Sequence, residues 1–193
     1  MPIEDFSEQL GTSNNNNNNN MHKRRRKIDH TDVAFEEIPI KSVENEKIKQ
    51  DLKRQISILK MLKDSSHIIK FYGLVEYADG LYLVTEWAKF GTLQIYYQNH
   101  GPLKWNKRLE FALDITHGLS FLHNSEILHR DIRSENIFVN EYEQAKIANF
   151  GLSKGFNEST GRHVRSTEQL RYTAPEKLRD FEYKYDIKCE IYR

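Results

Sequence analysis

The apolar residues of this chain change period near its middle, and only a fold that joins a strand-built part to a helix-built part accommodates that change. DVAFEEIPI at 32–40 reads as a strand stopped at Pro39, because proline offers no ladder donor. IIKFYGLVEYADGLYLVTEW at 68–87 reads as two antiparallel strands around Ala78, Asp79 and Gly80, where Asp-Gly supplies the positive φ of a tight turn. Between them, KIKQDLKRQISILKML at 47–62 sets Ile48, Leu52, Ile56, Leu59 and Leu62 at spacings of three and four, one face of a helix. After Gly91 the pattern is helical, through TLQIYYQNH at 92–100 and then WNKRLEFALDITHGLSFLHN at 105–124, whose long apolar stripe predicts a buried helix. The fold class is therefore α+β, with no internal repeat.

Composition excludes several function classes. Twenty-nine basic against 28 acidic side chains leave a net charge of +1, so no global field draws the chain to nucleic acid or membrane. Its one cysteine, Cys189, forms neither an internal disulfide nor a multi-thiolate zinc site and fits a reducing, cytoplasmic compartment. No apolar run approaches the ~20 residues that span a bilayer, and MPIEDFSEQL has no signal-like core. An asparagine tract at 14–20 and a basic run at 23–27 read as a solvated loop.

Three motifs follow the long helix in a fixed order: HRDIRSENIFV at 129–139, AKIANFGLS at 145–153 and TAPE at 173–176. Together they resemble the protein kinase signatures H-R-D-L-x-x-x-N, D-F-G and A-P-E, and LVTEWAKFGTL and FYGL are most similar to the tyrosine-kinase-like branch. The resemblance runs from about Phe6 to the end. It implies a two-lobed kinase-like fold with a small β-rich N-lobe at 31–86 and an incomplete, mainly helical C-lobe at 87–193, preceded by a degenerate, partly disordered glycine-loop region at 1–30. DIKCEIYR at the end resembles the entrance to the central C-lobe helix, with Glu190 near its anchoring aspartate, so the chain reads as truncated.

The resemblance also implies ATP and Mg2+ as cofactors and assigns site residues. Asp131 would receive the substrate hydroxyl proton, Asn136 would offer its carbonyl oxygen to a metal ion, and Arg133 and Arg130 would supply cations. Thr85 takes the gatekeeper position. Glu86 to Ala88 form the adenine-binding hinge, and Ala34 belongs with the nucleotide-binding residues.

Four positions depart from the family pattern. Glu36 stands where V-A-I-K has the lysine that holds the phosphates, so the charge there is reversed. Gln55 replaces the glutamate that pairs with that lysine. Asn149 replaces the metal-binding aspartate of D-F-G with a neutral amide. Of the glycine loop only Gly11 is present before the asparagines begin. Phosphoryl transfer depends on positioning and positive charge around the phosphates, so these losses predict a pseudokinase with impaired ATP and Mg2+ binding. Such a protein regulates or scaffolds a protein partner, another kinase among them. The alternatives are an active kinase phosphorylating Ser/Thr or Tyr hydroxyls, its lysine relocated to the run at 23–27, and a kinase fragment without function. In the activation segment Ser159, Thr160, Ser166 and Thr167 are candidate phosphorylation sites that would pair with Arg130.

Overall fold

The computed structural model describes residues 2–7, 11–14, 20–38, 46–77, 80–156, 158, 170–180 and 182–193, without side chains at 11–14 and 20. Five antiparallel strands form the first part: β1 (Gly11–Asn14), β2 (Asn20–Arg25), β3 (Asp32–Ile38), β4 (Phe71–Tyr77) and β5 (Gly80–Glu86), in the order β1-β2-β3-β5-β4. β3 ends at Ile38, directly before Pro39, which lies outside the described residues. β4 and β5 pair as far as Tyr77 opposite Gly80, the first residue of β5, so the expected antiparallel hairpin is present, while Ala78 and Asp79 of the expected turn lie outside the described residues.

Strand alternation divides this sheet into two faces. On the outer face Val33, Phe35, Val75 and Val84 pack with Phe6, whose ring meets Phe35 edge-on at 4.9 Å. The inner face carries Ala34 and Glu36 from β3 and Leu83 and Thr85 from β5, all turned toward the second part of the molecule.

Helix α1 (Glu46–Met61) crosses this inner side. Leu59 and Leu62 are buried as the periodicity predicts, but Ile48 is 42% exposed and Ile58 is buried instead. Only the C-terminal end of α1 enters the core. There Ile58 and Leu59 join the cluster that contains Phe150 and Ile147, so the helix meets that core with its last turns and not along its whole length.

The basic run is not a loop. Residues 23–25 lie within β2, opposite β3, and their charges are locally matched. Lys23 reaches Asp32 at 2.6 Å, Arg25 bonds Asp32 at 3.0 Å, and Arg26 pairs with Asp29. Arg24 lies over the rings of Phe35 and Tyr77 on the outer face.

The second part is built on α2 (Leu93–His100) and α3 (Trp105–Asn124). Thr92 caps α2, its hydroxyl accepting from the Ile95 N–H at 3.3 Å. Two short pairs of strands and two short helices follow: β6 (Ile127–Leu128) pairs with β9 (Lys154–Gly155), β7 (Ile137–Val139) with β8 (Ala145–Ile147), and α4 (Pro175–Arg179) and α5 (Ile187–Ile191) come last. The long helix α3 carries β8. A Cβ at Gly118 would stand 2.8 Å from Ile147 Cδ1 and 3.0 Å from the His67 carbonyl oxygen, so helix and strand approach as only glycine allows. Gly118→Val is expected to cost about 1–3 kcal/mol through overpacking, read as a lower midpoint in thermal unfolding.

Among the described residues no helix is long and apolar enough to cross a membrane. Cys189 is free and fully buried, and its thiol donates to Glu176 Oε1 at 3.2 Å. Burial pushes the thiol up to about 12. The native protein is therefore expected to resist iodoacetamide at pH 8 and to react fully once unfolded in guanidinium, as mass spectrometry would show.

Candidate functional site

A cleft opens between the inner face of the sheet and the loops around β7 and β8. Glu36, Gln55, Thr85, Ala88, Asn136 and Asn149 all line it, as does Glu86, so the fold gathers the side chains that lie far apart in sequence. Ala34, fully buried, sits on the cleft side of β3 opposite Thr85. Gly11 pairs with Lys23 at the sheet edge. Ser159, Thr160, Ser166 and Thr167 lie outside the described residues.

The floor of the cleft is a loop held by buried hydrogen bonds. Glu190, 1% exposed, accepts from the Arg130 N–H at 2.7 Å through Oε1, and its Oε2 lies 2.8 Å from His123 Nε2. This is the anchoring position expected for it, and it holds Arg130 at φ +68°, a left-handed conformation that a side chain rarely adopts. His129 faces two backbone groups: Nε2 is 2.8 Å from the Ala148 oxygen and Nδ1 is 3.2 Å from the Asp131 N–H. One contact requires a proton and the other a lone pair, which defines the neutral Nε2–H tautomer. Complete burial lowers the His129 pKa in the same sense. The imidazole also meets the Phe150 ring edge-on at 4.9 Å, joining this loop to the core beneath α1.

Both oxygens of Asp131 are engaged. Oδ1 accepts from Arg193 Nη2 at 2.9 Å, while Oδ2 accepts from Asn136 Nδ2 at 2.7 Å and lies 3.5 Å from Arg133 Nε. Arg193 also donates to the Arg130 oxygen. Arg133 is thus directed at Asp131, where the resemblance led one to expect a cation offered to phosphate. The Arg193 contact had no signal in the sequence motifs.

Asn136 and Asn149 meet at the centre of the site. Asn136 Nδ2 donates to both the main-chain oxygen and Oδ2 of Asp131, each at 2.7 Å. Because both partners are acceptors, the orientation of this amide follows from its neighbours, and Oδ1 must face the other way. That oxygen accepts from Asn149 Nδ2 at 2.9 Å. Asn149 reaches it from a left-handed backbone, φ +65°, which asparagine tolerates better than most residues.

These atoms do not suit Mg2+. The ion prefers hard, anionic oxygens in octahedral array. Here the oxygen of Asn136 assigned to it already accepts an N–H, and the second assigned ligand is a neutral amide whose proton points where a cation would stand.

The charged side chains that line the cleft are all acidic: Glu36 and Glu135, with Glu86 at the hinge, and no lysine, arginine or histidine among the described lining residues. Glu86 is neutralised by Lys146 at 2.7 Å. Lys23 shares the cleft-facing side of β2 with Met21, but its ammonium is held by Asp32 and lies 5.5 Å from the centre of the Trp87 ring. Asp32 is four residues from Glu36, about 13 Å of strand. The cation is therefore at the hinge end, and β2 does not return to the phosphates the lysine that β3 lacks. Lys41 lies outside the described residues.

A separate group of cations stands beneath the activation segment. Arg130 is 8% exposed, and its Nε has no hydrogen-bond partner among the described residues. Burial is the main cause lowering its pKa, with Arg54 adding repulsion. Burial likewise lowers Lys154, with Arg130 and Arg54 contributing.

Comparison with known proteins places this architecture. The protein tyrosine and serine/threonine kinase family matches residues 6–192. Similar proteins include the RasGEF domain-containing serine/threonine-protein kinase X of Dictyostelium discoideum, 30% identical over 81% of this chain and 16% of that protein. Serine/threonine-protein kinase STY17 of Arabidopsis thaliana is 29% identical over 81% of this chain and 28% of its own length. Tyrosine-protein kinase FRK of Homo sapiens is 28% identical over 74% and 29%. The chain thus spans less than a third of each of these relatives. With its motifs in order, its two-part α+β architecture and a family match covering nearly all its length, the chain belongs to the protein tyrosine and serine/threonine kinase family.

Proposed function

We propose that this kinase domain is a pseudokinase, acting as a regulator or scaffold for a protein partner, another kinase being the partner class that suits it best. The observation that carries the reading is the Asn149 amide donating to Asn136 Oδ1 at 2.9 Å. Asn136 and Asn149 are the residues that would hold a metal ion in this family, and here their side chains are bonded to each other. Reversal of charge at Glu36 and the commitment of Lys23 to Asp32 support the same conclusion from the other side of the cleft. The lone buried thiol of Cys189 fits action in the reducing cytoplasm.

The segment that carries Ser159, Thr160, Ser166 and Thr167 retains a regulatory use in this reading. A phosphate added there would find Arg130, Arg54 and Lys154, whose mutual repulsion an anion relieves. Such a mark would order the surface that a partner reads, without a need for turnover.

The alternative, an active enzyme phosphorylating protein Ser/Thr or Tyr hydroxyls, is favoured by the presence of Asp131 and Asn136 in contact. Incubation with γ-labelled ATP, Mg2+ and a mixed Ser/Thr/Tyr peptide substrate distinguishes the two. The pseudokinase reading expects no incorporation above that of the Asp131→Asn variant; incorporation abolished by that substitution would refute it.

A further inference from the structure

We propose that a second cavity binds an amphiphile with a carboxylate head and a long alkyl chain, as in a fatty acid. Among the described residues this cavity shares no lining residue with the cleft, so the inference goes beyond the non-catalytic reading and does not depend on it.

The cavity opens between the β6–β9 pair and the segment that enters α5. Its volume is about 500 Å³, within the roughly 300–1,000 Å³ of small-molecule sites. Leu128 and Phe156 line it from the strand side, and Tyr183, Tyr185 and Ile187 from the segment. Local bonds hold these walls in place. Asp186 caps α5 by accepting from the Cys189 N–H at 3.0 Å, and its second oxygen accepts from the Tyr183 hydroxyl at 3.3 Å. Lys177 donates to the Tyr183 main-chain oxygen at 2.6 Å, and the Phe156 N–H donates to the Glu126 oxygen at 2.9 Å. The walls are thus formed in advance, and a ligand need not order them.

Lys184 and Lys188 also line the cavity, and both are exposed, so they stand where it meets solvent. Neither ammonium meets a carboxylate among the described residues, whereas those of Lys23, Lys107 and Lys146 each do. Asp186 is the one acidic residue among the described lining residues, and both its oxygens are committed to the bonds just given. Positive charge is therefore in excess at the mouth. Apolar walls behind two uncommitted cations match an alkyl chain behind an anionic head. A peptide would bring backbone donors and acceptors that aromatic and aliphatic walls leave unmatched, and an alkyl chain brings none.

The test is a calorimetric titration of the full chain with octanoate, decanoate and dodecanoate, and with decanol and decyltrimethylammonium, each below the concentration at which it forms micelles. Affinity is expected to rise about tenfold with each added pair of methylenes. It should fall about tenfold from decanoate to decanol, and further to the cationic probe. The double substitution Lys184→Gln and Lys188→Gln should cost decanoate that same factor and leave decanol unchanged, while Ile187→Glu should weaken both. Hydrogen exchange with decanoate bound should slow at residues 183–188 and stay unchanged at residues 83–88 of the cleft. Should the variants fail to fold, the series and the exchange pattern on the native chain decide alone. Equal affinity for decanoate and decanol would overturn the proposal and mark a surface for an apolar protein segment. Affinity independent of chain length would overturn it in favour of a simple anion site. No binding, or protection confined to other residues, would overturn it as well. None of these results bears on phosphate transfer, so the non-catalytic reading stands or falls separately.

Discussion

The double substitution Glu36→Lys and Asn149→Asp is expected to give this domain a response to Mg2+ and ATP that the native chain lacks. Lysine at 36 replaces repulsion by attraction at the phosphates. At an effective dielectric near 20, unit charges ~4 Å apart interact by about 4 kcal/mol, roughly a thousandfold in affinity. Aspartate at 149 removes the N–H that now occupies Asn136 Oδ1 and puts an anionic oxygen beside it. Ligand present at a hundred times its dissociation constant stabilises by about 2.7 kcal/mol, which in a chain of this size raises Tm by about 5–10 °C. Differential scanning calorimetry with 5 mM ATP and 10 mM Mg2+, concentrations of the order needed to detect weak binding, should show that shift in the double variant and no shift in the native protein. An equal rise in both would show that the native cleft already holds the metal–nucleotide pair.

Glu190→Ala is expected to be among the most destabilising single substitutions in the chain. The carboxylate is 1% exposed and is the acceptor for the Arg130 N–H at 2.7 Å. Its loss leaves that buried donor, and the His123 ring 2.8 Å from the other oxygen, without an acceptor. Leaving buried polar groups unmatched in this way costs about 2–4 kcal/mol, or roughly 5–15 °C in Tm. Glu190→Gln keeps one acceptor oxygen and should recover about half of the loss. Because Arg130 holds a left-handed backbone against this anchor, hydrogen exchange should also quicken through residues 129–136 in the alanine variant. Unchanged exchange there would mean that the loop is positioned by something other than Glu190.

Much of this architecture is written in local pattern. The 20 residues of α3 coincide with the segment read as helical, and β4 and β5 pair as the hairpin read from the sequence, because in both cases the signal is short-range. The buried helix expected there is instead buried on one side only, with Phe111 and Leu122 inside and Trp105, Leu109 and Leu113 exposed. The anchoring place of Glu190 was legible through motif order alone. The face of α1 was legible only in part: periodicity says which residues share a side, but not that the helix enters the core by its C-terminal turns, which depends on Phe150 arriving from far along the chain. The basic run reads from composition as a loop, and only the relocated-lysine alternative puts it on the strand beside β3, where residues 23–25 lie; its neutralising partners, Asp29 and Asp32, act across the turn between β2 and β3.

The central contact of the site shows where sequence reading stops. Asparagine at 149 is visible at once, and its lack of charge follows from residue type. That its amide donates to Asn136 depends on a left-handed backbone at 149 and on Asp131 fixing the orientation of Asn136, neither of which a motif encodes. Arg193 on Asp131 is similar, a long-range contact of 62 residues with no periodic signal.

The most direct test of the account is electron paramagnetic resonance of Mn2+, a spectroscopic stand-in for Mg2+, titrated into the native protein with ATP present. The account predicts a spectrum indistinguishable from Mn2+ and ATP without protein, since the asparagine amide already occupies the oxygen that would bind the ion. A new, immobilised Mn2+ signal that disappears in Asn136→Ala would contradict it.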